Sequence, residues 1–212
     1  MKTQSVVTRL EFPSCLEHWA DADELFCVGD TSLLHRPCVS VIGTRSPSEV
    51  GVRRAAAVTR FLLSSNYCIV SGLARGIDAV AHDTALAAGG KTIAVLGTSL
   101  EKTYPASGVE LRREIEELGL VVSQFPAGAK TFKSNFPKRN RLMAALSHLT
   151  VVIEASETSG TRHQVRTALE LGRSVAIPAS LASSGYVWVK EALETKRVHV
   201  LNELSDLSSY LS

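Results

Sequence analysis

The segment Lys130 to Arg141, KTFKSNFPKRNR, carries five basic residues and no acid, with Phe132 and Phe136 set among them. Cations that neutralise phosphates, beside rings that stack on bases, are the combination that single-stranded nucleic acid requires. The plainer alternative is a solvated basic loop running into a helix from about Arg139 to Leu146. Two details favour the first reading: Asn135-Phe136-Pro137 sets a turn ahead of the cations, and a near-neutral chain concentrates its positive charge here. The balance of 23 Lys and Arg against 21 Asp and Glu leaves a formal charge of +2, too small for the bulk field to hold a polyanion. Binding of that kind has to be local.

A second group of residues follows short apolar runs: Gly43-Thr44-Arg45, Ser71-Gly72-Leu73-Ala74-Arg75-Gly76, Gly97-Thr98-Ser99-Leu100, Gln124-Phe125-Pro126, Ala155 to Thr161, and Pro178-Ala179. If those runs are parallel strands, the loops converge on one crevice at their carboxyl ends. Glycine permits close backbone approach there, and the following helix N-termini offer N–H groups to an anion. Each loop alone reads as a tight turn; several together, with Arg45 and Arg75, read as a phosphate site. A dinucleotide site is disfavoured, because Gly43-Thr44-Arg45-Ser46-Pro47 stands where G-x-G-x-x-G is needed, and no P-loop sequence occurs.

Catalytic chemistry finds less support. Ser71, Thr98, Ser99 and Ser159 have no base evident beside them, so no catalytic residue is assigned. Glu154 and Glu157 are the carboxylates nearest the crevice, expected to pair with Arg139 or Arg141 or to cap the next helix. Cys15, Cys27, Cys38 and Cys68 are scattered without a CxxC pair or a Cys/His group, so neither a metal nor a cofactor is expected and the thiols read as reduced and buried.

The elements that position these residues follow from periodicity. Seven strands are predicted: Val39 to Ile42, Cys68 to Ser71, Thr92 to Leu96, Leu120 to Ser123, Thr150 to Glu154, Ser174 to Ile177 and Val198 to Leu201. Between them Ser46-Pro47-Ser48-Glu49 reads as a capping box opening a helix from Pro47 to about Leu63, closed by Asn66, and Ser107-Gly108-Val109-Glu110 repeats the signal. Gly89-Gly90, Gly119 and Gly172 end helices in one shared manner. Leu181 to Gly185 reads as a mobile loop. Residues 1–37, with Phe12-Pro13, Trp19, Phe26 and Gly29, read as a lead-in packed on the sheet edge, and residues 38–212 as the main domain. The expected fold is α/β: a mostly parallel, extended Rossmann-like sheet of about seven or more strands with helices on both faces. At 45% apolar and 21% charged residues, disorder and collagen-like classes are excluded. The start of the chain has no secretory pattern and no apolar run spans a membrane, so a cytoplasmic location is expected.

Four ordered motifs, Gly43-Thr44-Arg45, Ser71 to Asp78 with Ala81-His82, Gly97-Thr98 through Tyr104-Pro105, and Asn135 to Arg141, resemble the DNA processing protein A (DprA/Smf) family. The resemblance runs from about Leu10 to Leu201. It implies a Rossmann-like domain that binds single-stranded DNA, forms a homodimer and helps load a RecA-type recombinase in natural transformation, with no catalytic group. It also implies a phosphate pocket of Gly43 and Arg45, Ser71, Gly72, Arg75 and Gly76, and Lys138, Arg139, Asn140 and Arg141. Asp78 and His82 match too, read as a helix-start acid and its satisfied neighbour. The winged helix that family members often carry is not expected within the residues up to Ser212. The chain departs from the family pattern at Ser159-Gly160-Thr161-Arg162-His163-Gln164-Val165, where S-G-S-L-x-T-A is usual, and at Pro178-Ala179, where Pro-Gly is usual. A nucleotide-ligand sensor, or a nucleotide hydrolase of the wider superfamily, remains the alternative. Against the hydrolase, Gln164 stands where that group's carboxylate falls, and an amide is no general base.

Overall fold

In the computed structural model, residues 7–11 and 24–211 are described; Phe12-Pro13, Cys15 and Trp19 lie outside the described residues. Nine strands there form one sheet: β1 (Thr8–Glu11), β2 (Glu24–Gly29), β3 (Cys38–Ile42), β4 (Cys68–Ser71), β5 (Thr92–Leu96), β6 (Leu120–Ser123), β7 (Leu149–Val152), β8 (Ser174–Pro178) and β9 (Val198–Leu201). The seven predicted strands are all present, four of them residue for residue. Lateral order is β1-β2-β6-β5-β4-β3-β7-β8-β9. From β3 to β9 every pairing is parallel, while β1 and β2 add an antiparallel edge through β2 on β6. Those two edge strands were not expected. Leu25 and Cys27 of β2 are fully buried in the common core.

Helices α1 (Glu49–Ser64), α2 (Ile77–Ala87), α3 (Val109–Leu118), α4 (Asn135–Leu146), α5 (Thr161–Glu170), α6 (Ala179–Ala182) and α7 (Val187–Leu193) cover both faces of the sheet. Successive residues of a strand point to opposite faces. In β4, Cys68 and Val70 belong to the same core cluster as Leu142 and Met143 of α4, whereas Ile69 belongs to the one that holds Ala55, Leu62, Ala81 and Ala85 of α1 and α2. Each fully buried aliphatic side chain contributes about 1.5–3 kcal/mol, which is why strands covered on both sides read as continuous Val and Ile runs.

Several boundaries move from their predicted places for physical reasons. α1 starts at Glu49, not Pro47, because Ser48 is its cap: the Ser48 hydroxyl accepts from Gly51 N–H at 3.0 Å. Ser107 caps nothing, since a 3-10 turn at Ala106–Gly108 precedes α3. Gly89 and Gly172 end their helices at φ of 66° and 68°, and Asn66 also turns left-handed at 64°. Gly119 differs: its φ is −140°, not left-handed, and its lack of a side chain lets it press against the Thr92 carbonyl. The stretch read as a mobile loop from Leu181 to Gly185 begins inside α6, with Leu181 buried.

The chain winds from β3 outward through β4, β5 and β6, then returns to the other flank of β3 as β7. Ser40 of β3 fixes this return, its hydroxyl lying 2.7 Å from that of Ser147 at the end of α4, 107 residues later. Loops leaving β3 and β7 therefore diverge, and a crevice opens between them.

Candidate nucleic-acid interface

That crevice is a cleft of about 390 Å³, walled by the loop after β3, the N-terminal turns of α4 and α5, and Ala74 with Asp78 from the β4–α2 connection. A smaller recess of about 70 Å³ adjoins it, between Arg45, Gly72, Arg75, Gly97, Tyr104 and Phe136. The loops are held by backbone contacts at long range. Thr44 N–H donates to the Glu154 carbonyl at 2.8 Å, and its own carbonyl accepts from Ile77 N–H at 3.2 Å. Gly76, at φ +82°, makes the second contact possible: a Cβ there would stand 2.4 Å from the Thr44 carbonyl oxygen.

Glu154 couples β7 to the start of α1. Its carboxylate accepts from Ser48 N–H and, at 2.7 Å, from the Ser48 hydroxyl. The next helix, α5, which it was expected to cap, has no side-chain cap; the carboxylate instead holds Ser48, the cap of α1, more than a hundred residues upstream. The partner of Arg139 is Asp78.

The basic stretch divides into inward and outward residues. α4 begins at Asn135, not near Arg139, so Lys138, Arg139, Asn140 and Arg141 all lie within the helix. Lys138 is exposed, whereas Arg139 is only 6% exposed. The Arg139 guanidinium lies 3.9 Å from an Asp78 carboxylate oxygen that also accepts from Gly72 N–H at 3.1 Å. Burial pulls Arg139 below its ordinary pKa; Asp78 works against that, and the neighbouring Arg45 cation adds to it. Burial likewise raises Asp78 above the usual carboxylate range, opposed by Arg139 and by the Ala74 and Gly72 amides. Desolvation thus outweighs attraction on both sides, so the pair positions more than it stabilises. His82, one turn along α2, is fully buried with Nδ1 2.7 Å from the Thr92 hydroxyl, and burial pushes it down to about 3.

Of the other expected site residues, Gly43 and Arg45 line the main cleft, with Arg45 exposed; Gly72 and the exposed Arg75 line the recess. Asn140 joins the main cleft. Ser71 is turned away, fully buried with its hydroxyl donating to the Val41 carbonyl at 2.7 Å. Phe132 is 60% exposed on the turn before α4. Phe136 is half-buried, its ring centroid 5.5 Å from that of Tyr104 and one edge against Gly97, where a Cβ would stand 2.8 Å away. Arg112 steadies that corner by donating to the carbonyls of Leu100 and Lys102. Thr161 ends a loop expected at the crevice, but the sequence reading did not bring Tyr104, His163 or Gln164 to the site. Tyr104 was quoted within a motif, and Gln164 only as a missing carboxylate.

One carboxylate, Asp78, lines the main cleft, and Arg139 offsets it; Arg45 leaves the surface positive. Among the described residues no helix is long and apolar enough to cross a membrane. Cys27, Cys38 and Cys68 are free and buried, and burial pushes the Cys27 thiol up to about 12.

Known proteins agree with this architecture. The family model for DNA recombination-mediator protein A matches residues 5–211. The chain is 42% identical over 158 residues to DNA processing protein DprA of Streptococcus pneumoniae, covering 74% of this chain and 56% of that one. It is 43% identical over 139 residues to Protein Smf of Synechocystis, covering 66% and 35% respectively. The chain thus spans between a third and somewhat over half of these curated relatives' length. Its structure superposes on the S. pneumoniae protein with a TM-score of 0.85 at 33% identity, over 96% of this chain and 74% of that one. It also superposes on DNA processing protein A of Helicobacter pylori, described for its unique single-stranded DNA binding mode, with a TM-score of 0.87 at 29% identity, over 100% and 98%. A molybdenum cofactor carrier protein of Chlamydomonas reinhardtii, 18% identical with a TM-score of 0.57 over 83% of this chain and 98% of that one, shares the fold. With a family model matching nearly its whole length and a sheet that follows those of two solved members, the chain belongs to the DNA recombination-mediator protein A (DprA/Smf) family.

Proposed function

We propose that the cleft between β3 and β7 holds the backbone of single-stranded DNA, and that the protein acts as a recombination mediator without catalysis of its own. The observation that carries this reading is the charge of the cleft: its one carboxylate is offset by Arg139, and Arg45 stands exposed at its edge. Arg45, Arg75 and Lys138 face solvent and would neutralise phosphates, and Arg141 and Asn140 would add contacts from α4; Gly43, Gly72 and Gly76 would serve by letting the loops close on Ile77, Arg139 and Thr44. Phe132 and Phe136 would stack on bases. Arg139, held inward, would keep the second loop and α4 together. A homodimer that hands the strand to a RecA-type recombinase in the cytoplasm completes the reading, by kinship with the family. The hydrolase alternative loses support because the Glu154 carboxylate is occupied by Ser48.

The test is a salt-titrated binding curve with single-stranded and double-stranded oligonucleotides. The single strand should bind more tightly, with log K falling by about 0.7 per phosphate neutralised for each tenfold rise in salt. Arg45→Ala should weaken binding by about 1–3 kcal/mol at unchanged stability, as for a charge-assisted contact. A salt-independent affinity, or a preference for duplex, would sink the proposal.

A further inference from the structure

A second groove opens at the carboxyl ends of β7, β8 and β9, between α1 and the 3-10 segment Leu204–Tyr210. Its helix, α1, packs in a different core cluster from α4 and α5, so it lies across the sheet from the main cleft. The groove encloses about 300 Å³, at the lower end of the roughly 300–1,000 Å³ of small-molecule sites. Val58, Leu201 and Leu204 give it apolar sides, and Leu204 is 37% exposed. Its free charge is Arg54. That side chain is half-buried and pairs with no carboxylate among the described residues; its one hydrogen bond among them runs from Nη1 to the Ile153 carbonyl at 3.3 Å. Glu203 lines the same groove, but its carboxylate is engaged with the Asp206 N–H in a capping box. Cations withdrawn from water are ordinarily paired, so Arg54 favours an anion from outside the chain. Ser180 and Asn202 complete the lining, their side chains without a hydrogen bond among the described residues. A primary amide offers one donor and one acceptor, which suits the edge of a base and is wasted on an acyl chain.

We infer that this groove is a second nucleotide site, with the phosphate on Arg54, the flat ring against Val58, Leu201 and Leu204, and a polar edge on Asn202 or Ser180. Two sources share that chemistry: a free mononucleotide, and a nucleotide of a strand already held in the main cleft. Arg54 lies about 9 Å along α1 from the Ser48 cap at 1.5 Å per residue, and that cap follows the Arg45 loop directly. The strand source rests on reading the main cleft as a single-stranded DNA site; the free nucleotide does not.

The experiment titrates deoxyadenosine monophosphate into the isotope-labelled full chain and follows its amide NMR signals. In parallel, anisotropy measures two fluorescent deoxyadenosine oligonucleotides, one of about 4 nucleotides and one of about 16. A free nucleotide in the groove should move the amides of Arg54, Ser180 and Asn202. Arg54→Met, which keeps the apolar stem, and Leu204→Asp should each raise the Kd read from those shifts about tenfold, while Arg45→Ala should leave it unchanged. A nucleotide of the bound strand should show as a length dependence: the same two variants should weaken the longer oligonucleotide about tenfold and leave the shorter one, held in the main cleft alone, unchanged. Either result supports the inference and names the source. Absence of both, or indifference of both to Arg54→Met and Leu204→Asp, would overturn it, while a loss of oligonucleotide binding in Arg45→Ala would still stand for the main cleft. Shifts of the same amides with protein concentration alone would also overturn it, in favour of a second copy of the chain. If the wild type bound neither oligonucleotide, the reading of the main cleft would fall, and the mononucleotide titration would by itself decide the groove.

Discussion

Adding one methyl group at Gly72 should break the buried pair beside the cleft. The φ of Gly72 lies outside the left-handed region, so alanine is acceptable to the backbone, but its Cβ would stand 1.1 Å from Nη1 of Arg139 and 2.3 Å from Cζ. Ordinary contact between such atoms is about 3.5 Å, so the guanidinium has to move by roughly 2 Å or more. It begins 3.9 Å from the Asp78 carboxylate. At an effective dielectric constant of about 20, unit charges that far apart attract by about 4 kcal/mol, and separating a buried pair costs roughly 3–5 kcal/mol. Swinging into the cleft returns some hydration to the cation, so we expect Gly72→Ala to cost about 2–4 kcal/mol. Methionine at position 139 ends short of Cζ and cannot meet the new methyl. In the Arg139→Met background the same substitution should therefore cost under about 1 kcal/mol. Urea denaturation of the four proteins at constant m closes the cycle. Equal costs in the two backgrounds would refute the reasoning.

Other consequences are simpler to measure. His82 takes up its proton near 6.5 in the unfolded chain but only near 3 in the folded one, so stability should be retained above pH 6.5 and fall as pH drops toward 3. The loss is on the order of 5 kcal/mol at about 1.4 kcal/mol per pH unit, and His82→Asn should flatten that part of the urea profile; parallel profiles would contradict the assignment. Ser48→Ala should lower stability by about 1 kcal/mol and Tm by about 2–4 °C, whereas Ser46→Ala should stay within roughly 0.5 kcal/mol, as scanning calorimetry would register. Phe132→Ala should weaken oligonucleotide binding by about 1–3 kcal/mol without changing Tm, while Phe136→Ala, which also strips Tyr104 of its ring contact, should lower both.

Strands that are buried on both faces announce themselves, and those from β3 to β8 were legible because continuous runs rich in Val and Ile have few other meanings; β9, a part-buried edge strand, was legible from its Val-His-Val-Leu alternation. β2 was not. Its sequence ELFCVG is apolar in only part, follows a run of acids, and owes its place to antiparallel pairing with β6 nearly a hundred residues on. The helix start at Ser48 shows the same limit: two serines precede Glu49, and the choice between them is made by Glu154, out of reach of local patterning. In the basic stretch the residue types pointed to the right face of the molecule. Spacing did not separate Arg139, turned inward to Asp78, from Lys138, turned outward, because that depends on which side of α4 meets the β4 loop. The Gln164 amide, buried at the cleft wall, was legible only as a departure from a pattern.

The return of the chain from β6 to β7 also sets the order in which the protein is made. Ser40 and its partner Ser147 lie 107 residues apart, so at about 5–20 residues per second the ribosome needs roughly 5–20 s to deliver the second after the first. Once β4 has been made, β3 has that strand on one flank and nothing on the other for the rest of the interval, although all five of its residues are buried in the finished molecule. An apolar strand with a bare edge is a template for pairing with another chain. Nascent chains stopped before Leu149 should therefore associate through β3, and slower translation of the intervening helices should raise the demand for chaperones. A cleft placed at the centre of the sheet leaves its own floor unpartnered until late in synthesis.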